Sequence, residues 1–265
     1  MSGVHIHTKT YQELRKTLKY CSEIGCTHIQ MFNENIAEPS IIKPLLKTYN
    51  LKLVIHSPYI INIASPFDIH AWRTKYLLME VENSIKNGAF GLIIHLGKGM
   101  GLPLNVAYDN MYKILHLVSK IINKRNFEIY LENTAGQGTE LCDRIDELSI
   151  FFSKIIANPK MKNIKICLDT CHLFAAGYDL SSTKVIKDFI EKFDKSIGID
   201  RIGLMHVNDS LHDIGSHKDR HTNIGDGFIG VKGLKYFYQY FSKKNIPGIL
   251  ETPVRDYKKE IDLLN

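Results

Sequence analysis

Eight short apolar runs recur along the chain: Gly3–His7, Thr27–Phe32, Leu51–His56, Gly91–His95, Phe127–Glu132, Ile164–Asp169, Arg201–Val207 and Pro247–Glu251. Each has the length and β-branched content of a strand buried on both faces, as in a parallel sheet. Between them lie longer stretches with apolar residues at helical spacing. Tyr11–Gly25 carries Leu14, Leu18 and Cys21 on one stripe and stops at a glycine. Ala71–Gly88, with Leu77, Leu78, Val81 and Ile85, ends in the same way, and Val106–Lys124, Leu141–Ile156, Thr183–Ser196 and Gly233–Lys243 repeat the pattern. Strand–helix alternation without a break in composition predicts a single-domain (β/α)8 TIM barrel over residues 1–265. An open doubly wound sheet is the alternative, but no Gly-x-Gly-x-x-Gly turn follows the first strand to support it.

In such a barrel the functional side chains stand at the C-terminal ends of the strands. Strands three to eight offer His56, His95, Glu132, Asp169, His206 and Glu251 there, all of them metal-ligand types. A single one would be an ordinary polar residue. An apolar strand gains nothing from ending in an imidazole or a carboxylate, so six at one mouth read as a set. His172 follows in Asp-Thr-Cys-His, and Asp219 and His221 stand in Asp-Arg-His, which brings the candidates to nine. One zinc takes about three or four protein ligands, so the set suits two or three ions, particularly if a carboxylate bridges. Imidazole mixed with carboxylate favours Zn, Mn or Fe over Mg or Ca. Cys171 is flanked by two candidates, but in a strand-end turn it is expected to point away from them. A metal cluster suits displacement at phosphorus. It suits sugar isomerisation equally, so the ligands alone leave the reaction open.

Composition adds less. The net charge of +6 and a pI near 8.9 fit a polyanionic partner without choosing one. A chain that is 44% hydrophobic and 23% charged is not of the disordered class. No apolar stretch is long enough to span a membrane and Met1–Thr10 has no signal-peptide core, so an intracellular protein without membrane attachment is expected. The five cysteines, Cys21, Cys26, Cys142, Cys167 and Cys171, are odd in number and form no Cys-x-x-Cys; reduced, mostly buried thiols are expected, although Cys21 and Cys26 are close enough in sequence to pair.

Several segments resemble the endonuclease IV family over nearly the whole chain. They are LENTAGQGT at Leu131–Thr139, CLDTCHLFAAGYDL at Cys167–Leu180, HVNDS at His206–Ser210 and GSHKDRHTNIGDGFIG at Gly215–Gly230. Shorter matches are HSPYIIN at His56–Asn62, HLG at His95–Gly97 and LET at Leu250–Thr252. The resemblance implies a DNA-repair enzyme on a (β/α)8 barrel with three zinc ions. Such an enzyme hydrolyses the phosphodiester 5′ to an abasic site in duplex DNA, leaving a 3′-hydroxyl and a 5′-deoxyribose phosphate, and also trims blocked 3′ ends. It further implies that His56, His95 and Glu132 hold one zinc, that Glu132 bridges to a second completed by Asp169, His206 and Glu251, and that His172, Asp219 and His221 hold the third. Attack in line by water activated between the first two ions, oriented by Glu132, is the implied mechanism. Family members act as monomers.

DNA contacts implied by the resemblance are Tyr59 and Ile60, matching a wedge pushed into the duplex at a flipped-out lesion, and Asn35. The family's second wedge, an Arg two residues after that Asn, is missing here, since Ile36 and Ala37 follow. The family's Gly-Gly in the first loop is replaced by Thr8–Tyr11, and His7 stands where a Ser is usual. His5 matches a position lining the mouth without being a principal ligand. His217, Lys218 and Lys98 are further phosphate candidates, with solvated side chains as the plainer reading. Two other functions fit parts of the pattern. A sugar isomerase or epimerase on a related metal barrel has no need of Asp219-Arg220-His221. A non-catalytic DNA-binding barrel has no need of a complete ligand set.

Overall fold

The computed structural model describes residues 2–36, 38–253 and 256–265. Eight parallel strands close into a barrel: β1 (Ser2–His5), β2 (His28–Phe32), β3 (Lys52–His56), β4 (Gly91–His95), β5 (Glu128–Glu132), β6 (Ile164–Asp169), β7 (Ile202–His206) and β8 (Gly248–Leu250). β1 pairs with both β2 and β8, which closes the ring. Each strand lies within one of the apolar runs, β1 starting one residue before its own.

Helices α1 (Tyr11–Glu23), α3 (Trp72–Lys86), α4 (Leu104–Ile122), α5 (Ile145–Ile156), α7 (Thr183–Ser196) and α8 (Gly230–Ser242) answer the expected stretches, with α2 (Pro39–Thr48), α6 (Thr170–Ala175) and α9 (Tyr257–Leu264) added. Side-chain caps set the starts of several: Thr10 accepts from Glu13 N before α1, Ser182 from Val185 N before α7 and Asp256 from Lys259 N before α9. α7 buries Ile186, Phe189, Ile190 and Phe193 on one stripe against the barrel. α2 has Pro39 in its first turn and Pro44 inside, which hides its helical character in the sequence, yet it buries Ile42, Leu45 and Leu46.

The inside of the barrel explains where the site lies. Val54, Ile93, Tyr130, Cys167, Leu204 and Ile249 form one buried cluster, a layer contributed by six successive strands. Side chains on a strand alternate faces, so the residue two further along points the same way. Two further along from these six stand His56, His95, Glu132, Asp169, His206 and Glu251. The apolar layer is thus the floor, and the polar side chains form the next layer towards the mouth.

Register places them side by side. His95 is opposite Glu132, and Asp169 is opposite His206. The second pairing depends on a one-residue shift between β6 and β7, where Ile166 pairs with Ile202 but Cys167 pairs with Leu204. Gly203 is the extra residue. A Cβ there would lie 2.4 Å from Tyr130 Cε1, so only glycine fits beside that ring. Gly91 flanks the ring on the other side, with a Cβ position 2.3 Å from Tyr130 Cε2.

After β7 the chain forms a short antiparallel ribbon, Asp209–Ser210 against His221–Thr222, which returns His221 to the mouth. All five cysteines are free and buried.

Candidate metal centre

The nine sequence candidates converge at the mouth. In the first group, Nε2 of His56 and Nε2 of His95 lie 3.1 and 3.3 Å from Glu132 Oε2. In the second, Nδ1 of His206 lies 2.7 Å from Glu132 Oε1, 3.2 Å from Glu251 Oε2 and 3.7 Å from Asp169 Oδ2. In the third, Nε2 of His172 and of His221 each lie 3.2 Å from an Asp219 oxygen, and His221 Nε2 is 3.5 Å from Asp169 Oδ2. Glu132 joins the first group to the second. Asp169 joins the second to the third, a part the sequence did not suggest.

Two details depart from expectation. Asp169 gathers with His172 and His221 closely enough to share a cation, so the third group is not Asp219 and the two rings alone. Cys171 does not point away: its thiol gathers with Asp219 and His221 closely enough to share a cation. The reason is local. α6 starts directly after Asp169, whose side chain caps it by accepting from His172 N at 2.9 Å. Side chains on a helix turn by about 100° per residue rather than alternating, so Cys171 stays near its neighbours. Burial pushes the Cys171 thiol up to about 12.

The imidazoles are held from behind. His56 Nδ1 donates to Ser57 O and His172 Nδ1 to Asn133 O, both at 2.8 Å, so Nε2 of each ring faces the cluster. Asn133 Oδ1 accepts from Asp169 N at 2.7 Å, and Asn208 donates to Asp169 Oδ2 at 2.8 Å while accepting from Glu251 N at 2.9 Å. Asp209, fully buried, accepts from the backbone N–H groups of Ser210, Gly225, Gly227, Ile229 and Gly230, which ties down the loop after His221.

The electrostatics call for positive charge. Burial alone would raise Glu132, but the His95 and His206 rings beside it hold it well below its usual value. Burial opposes charge on His172 and His221, yet Asp169 and Asp219 raise the first well above the ordinary histidine value and the second to about 9. His95 is pushed down to about 4, chiefly by burial. Nε2 of His95, His172 and His221 are buried without a hydrogen-bond partner. Imidazole nitrogens that crowd packed carboxylates without a hydrogen bond to them are the donor set of a divalent cation with nitrogen and oxygen preference.

Comparison with known proteins agrees with this geometry. A family profile described as "Xylose isomerase-like TIM barrel" matches residues 18–265. A protein named "Probable endonuclease 4" from Staphylococcus saprophyticus is 37% identical over 235 residues, covering 83% of this chain and 76% of the relative. The chain belongs to the endonuclease IV family. A relative of the same name from Pediococcus pentosaceus is 35% identical over 214 residues, covering 80% of this chain and 70% of its own. Among solved structures, endonuclease IV from Thermus thermophilus superposes with a TM-score of 0.80 at 24% identity, covering 99% of this chain and 97% of that one. A D-tagatose 3-epimerase-like protein reaches 0.72 at 20% identity, with 99% and 95% covered. The barrel is therefore common to endonuclease IV and to sugar epimerases, and these structural likenesses speak for the fold.

Around the metal-ligand types, the candidate DNA contacts are unevenly placed. Tyr59 and Ile60 are 68% and 59% exposed, so Ile60 is not packed into its loop. The Tyr59 ring stands 4.5 Å from that of His95 and, with His5, Phe32, His221, Glu251, Thr252 and Pro253, lines a mouth cavity of about 310 Å3. Asn35 lies away from this cavity, half-buried in a small cleft beside Thr8–Tyr11. Ala37, in the loop without the family's Arg, lies outside the described residues. Lys98 pairs with Glu140 at 3.6 Å, and the half-exposed His217 Nδ1 lies 3.1 Å from Ala135 O. Sequence reasoning missed Gln30, Asn133, Asn208 and Asp209, although the last three fall inside the matched motifs.

Among the described residues no helix is long and apolar enough to cross a membrane.

Proposed function

We propose that this protein is a zinc-dependent DNA-repair endonuclease that acts as a monomer and hydrolyses the phosphodiester 5′ to an abasic site in duplex DNA. The products are a 3′-hydroxyl and a 5′-deoxyribose phosphate, and trimming of blocked 3′ ends follows from the same chemistry. The observation that carries this reading is the chain of three donor groups linked by Glu132 and Asp169 at the barrel mouth.

His56, His95 and Glu132 would hold one zinc, with Glu132 shared by a second that Asp169, His206 and Glu251 complete. His172, Asp219 and His221 would hold the third, with Asp169 at its border. When bound, such ions activate water at neutral pH and offset the charge that builds on phosphoryl oxygens. Glu132, kept ionised beside His206, can accept a hydrogen bond from the attacking water and orient it. Tyr59 and Ile60, exposed beside His56 and His95, take the wedge position at the lesion, where unstacking is easiest. Asn35 contributes from the neighbouring loop at the margin of the duplex. The net charge of +6 favours approach of the DNA backbone.

A sugar epimerase on the same barrel has no use for Asp219 and His221, which here complete a third group. The test is incubation of the purified protein with a duplex carrying one abasic analogue, without added Mg. Cleavage 5′ to the lesion, lost in Glu132→Gln, is expected. An intact duplex together with turnover of a ketose overturns the proposal, and metal analysis near three zincs per chain supports it independently.

A further inference from the structure

Gln30 sits on β2, wholly buried, inside the barrel among the second donor group and outside every motif discussed above. Its amide is fully used. Nε2 donates to Glu251 Oε1 at 2.6 Å and to His5 Nδ1 at 2.8 Å, and Oε1 lies 2.8 Å from His206 Nε2. The orientation of the amide is not free. A carboxylate oxygen only accepts, so the atom at 2.6 Å from Glu251 must be the NH2 group. The carbonyl is then left facing His206, and a carbonyl only accepts, so His206 Nε2 carries a proton.

We infer that Gln30 is the positioning residue of the second donor group: it selects Nδ1 of His206 as the atom presented to a cation and holds Glu251 against the same site. The inference rests on the metal-binding reading above. His206 differs in this from His56 and His172, whose Nδ1 protons are bound to backbone carbonyls and whose Nε2 atoms face the cluster. At His206 Nε2 the Gln30 side chain takes the place that a backbone carbonyl holds for those two rings. A ring bound through Nδ1 approaches the cation closer to its own backbone than one bound through Nε2, which suits His206, buried beside Glu132 at 2.7 Å. The same amide holds Glu251 just past the end of β8, and His5 completes the frame, with Tyr257 donating to His5 O at 2.7 Å.

Two measurements test this. In the zinc-loaded wild-type protein, side-chain nitrogen NMR should find His206 bound through Nδ1 with a proton on Nε2; metal on Nε2 overturns the inference without any variant. In Gln30→Met the volume is kept and all three hydrogen bonds are lost. Zinc affinity measured by chelator competition should fall by about 10–100-fold for one class of site, the size usual for a removed supporting group, while the other sites bind as before. Gln30→Glu keeps an acceptor for His206 but sets a second carboxylate against Glu251. It should retain the Nε2 proton signal yet lose affinity as well. Wild-type affinity in a folded Gln30→Met protein sinks the inference, because a packing role survives the exchange and a positioning role does not. A wild-type protein that binds no zinc at this group refutes the metal reading itself, which is a different outcome.

Discussion

Asp209 offers the sharpest test of how the loop carrying Asp219 and His221 is held. Its Oδ2 accepts from the N–H groups of Gly225, Gly227 and Gly230 at 3.0, 3.3 and 3.1 Å, and its Oδ1 from those of Ser210 and Ile229 at 2.8 and 2.9 Å. Asp209→Asn keeps the shape and replaces one oxygen with a donor. Whichever way the amide turns, at least two backbone N–H groups then face another N–H. A hydrogen bond to a charged group is worth about 1.5–3 kcal/mol, and a buried donor left unpaired loses a similar amount. Two such losses amount to about 3–6 kcal/mol, a large part of the stability of a typical domain. Urea unfolding should therefore show a stability loss of that size. Hydrogen exchange should show Gly225, Gly227 and Ile229 losing protection before the barrel strands do. His221 hangs on the ribbon that starts at Asp209, so zinc at the third group should also weaken. A loss below about 1 kcal/mol with unchanged exchange at those amides would show that the loop does not depend on this carboxylate.

Three further outcomes follow from the site and its floor. Ile60→Ala should leave stability within about 0.5 kcal/mol, since the side chain is 59% exposed, but weaken binding to an abasic duplex; an equal loss on undamaged duplex refutes the wedge. His221 is raised to about 9 in the metal-free protein, so the stability its ion pairs add is complete below the ordinary histidine value and disappears as pH rises through about 9. Metal-free protein should consequently melt earlier above that pH, and zinc binding at about pH 7 should release protons, seen in calorimetry as a dependence on the buffer's ionisation enthalpy; no buffer dependence would contradict the ion pairs. Gly203→Ala should destabilise by about 1–3 kcal/mol through overpacking, because its Cβ would meet Tyr130 Cε1 at 2.4 Å, and Tyr130→Leu in the same chain should recover part of the loss; strictly additive effects would refute that contact.

The barrel was legible because its strands are buried on both faces, which writes each as a short apolar run with sharp ends. The ligand types were legible because a polar residue closing such a run stands out. What stayed hidden is whatever gains its meaning from a partner far along the chain. Gln30 lies in His-Ile-Gln-Met-Phe, and its partners His5, His206 and Glu251 are 25, 176 and 221 residues away. Nothing local separates it from a solvated glutamine. Asn208 and Asp209 sit in a matched motif, but the sequence does not say that one braces Asp169 and Glu251 while the other ties a glycine-rich loop. The thiol of Cys171 was misplaced because the chain after Asp169 continues as helix instead of turning.

The β6–β7 shift shows why a ligand list does not by itself make a site. Had the pairing of Ile166 with Ile202 continued without a shift, Asp169 would stand opposite Met205. A slip of one residue reverses every side chain relative to its neighbour strand, so the inward layer would no longer match from β6 to β7. The extra residue brings Asp169 level with His206, where Asp169 can join the second and third donor groups. That residue is Gly203, and it is glycine because the Tyr130 ring fills the floor beneath. Tyr130 in turn stands two residues before Glu132 on the same face of β5. One aromatic ring in the apolar layer therefore fixes the space that allows the shift, and the shift fixes the alignment of the acids and imidazoles above it. The chemistry at the mouth is set from the floor of the barrel.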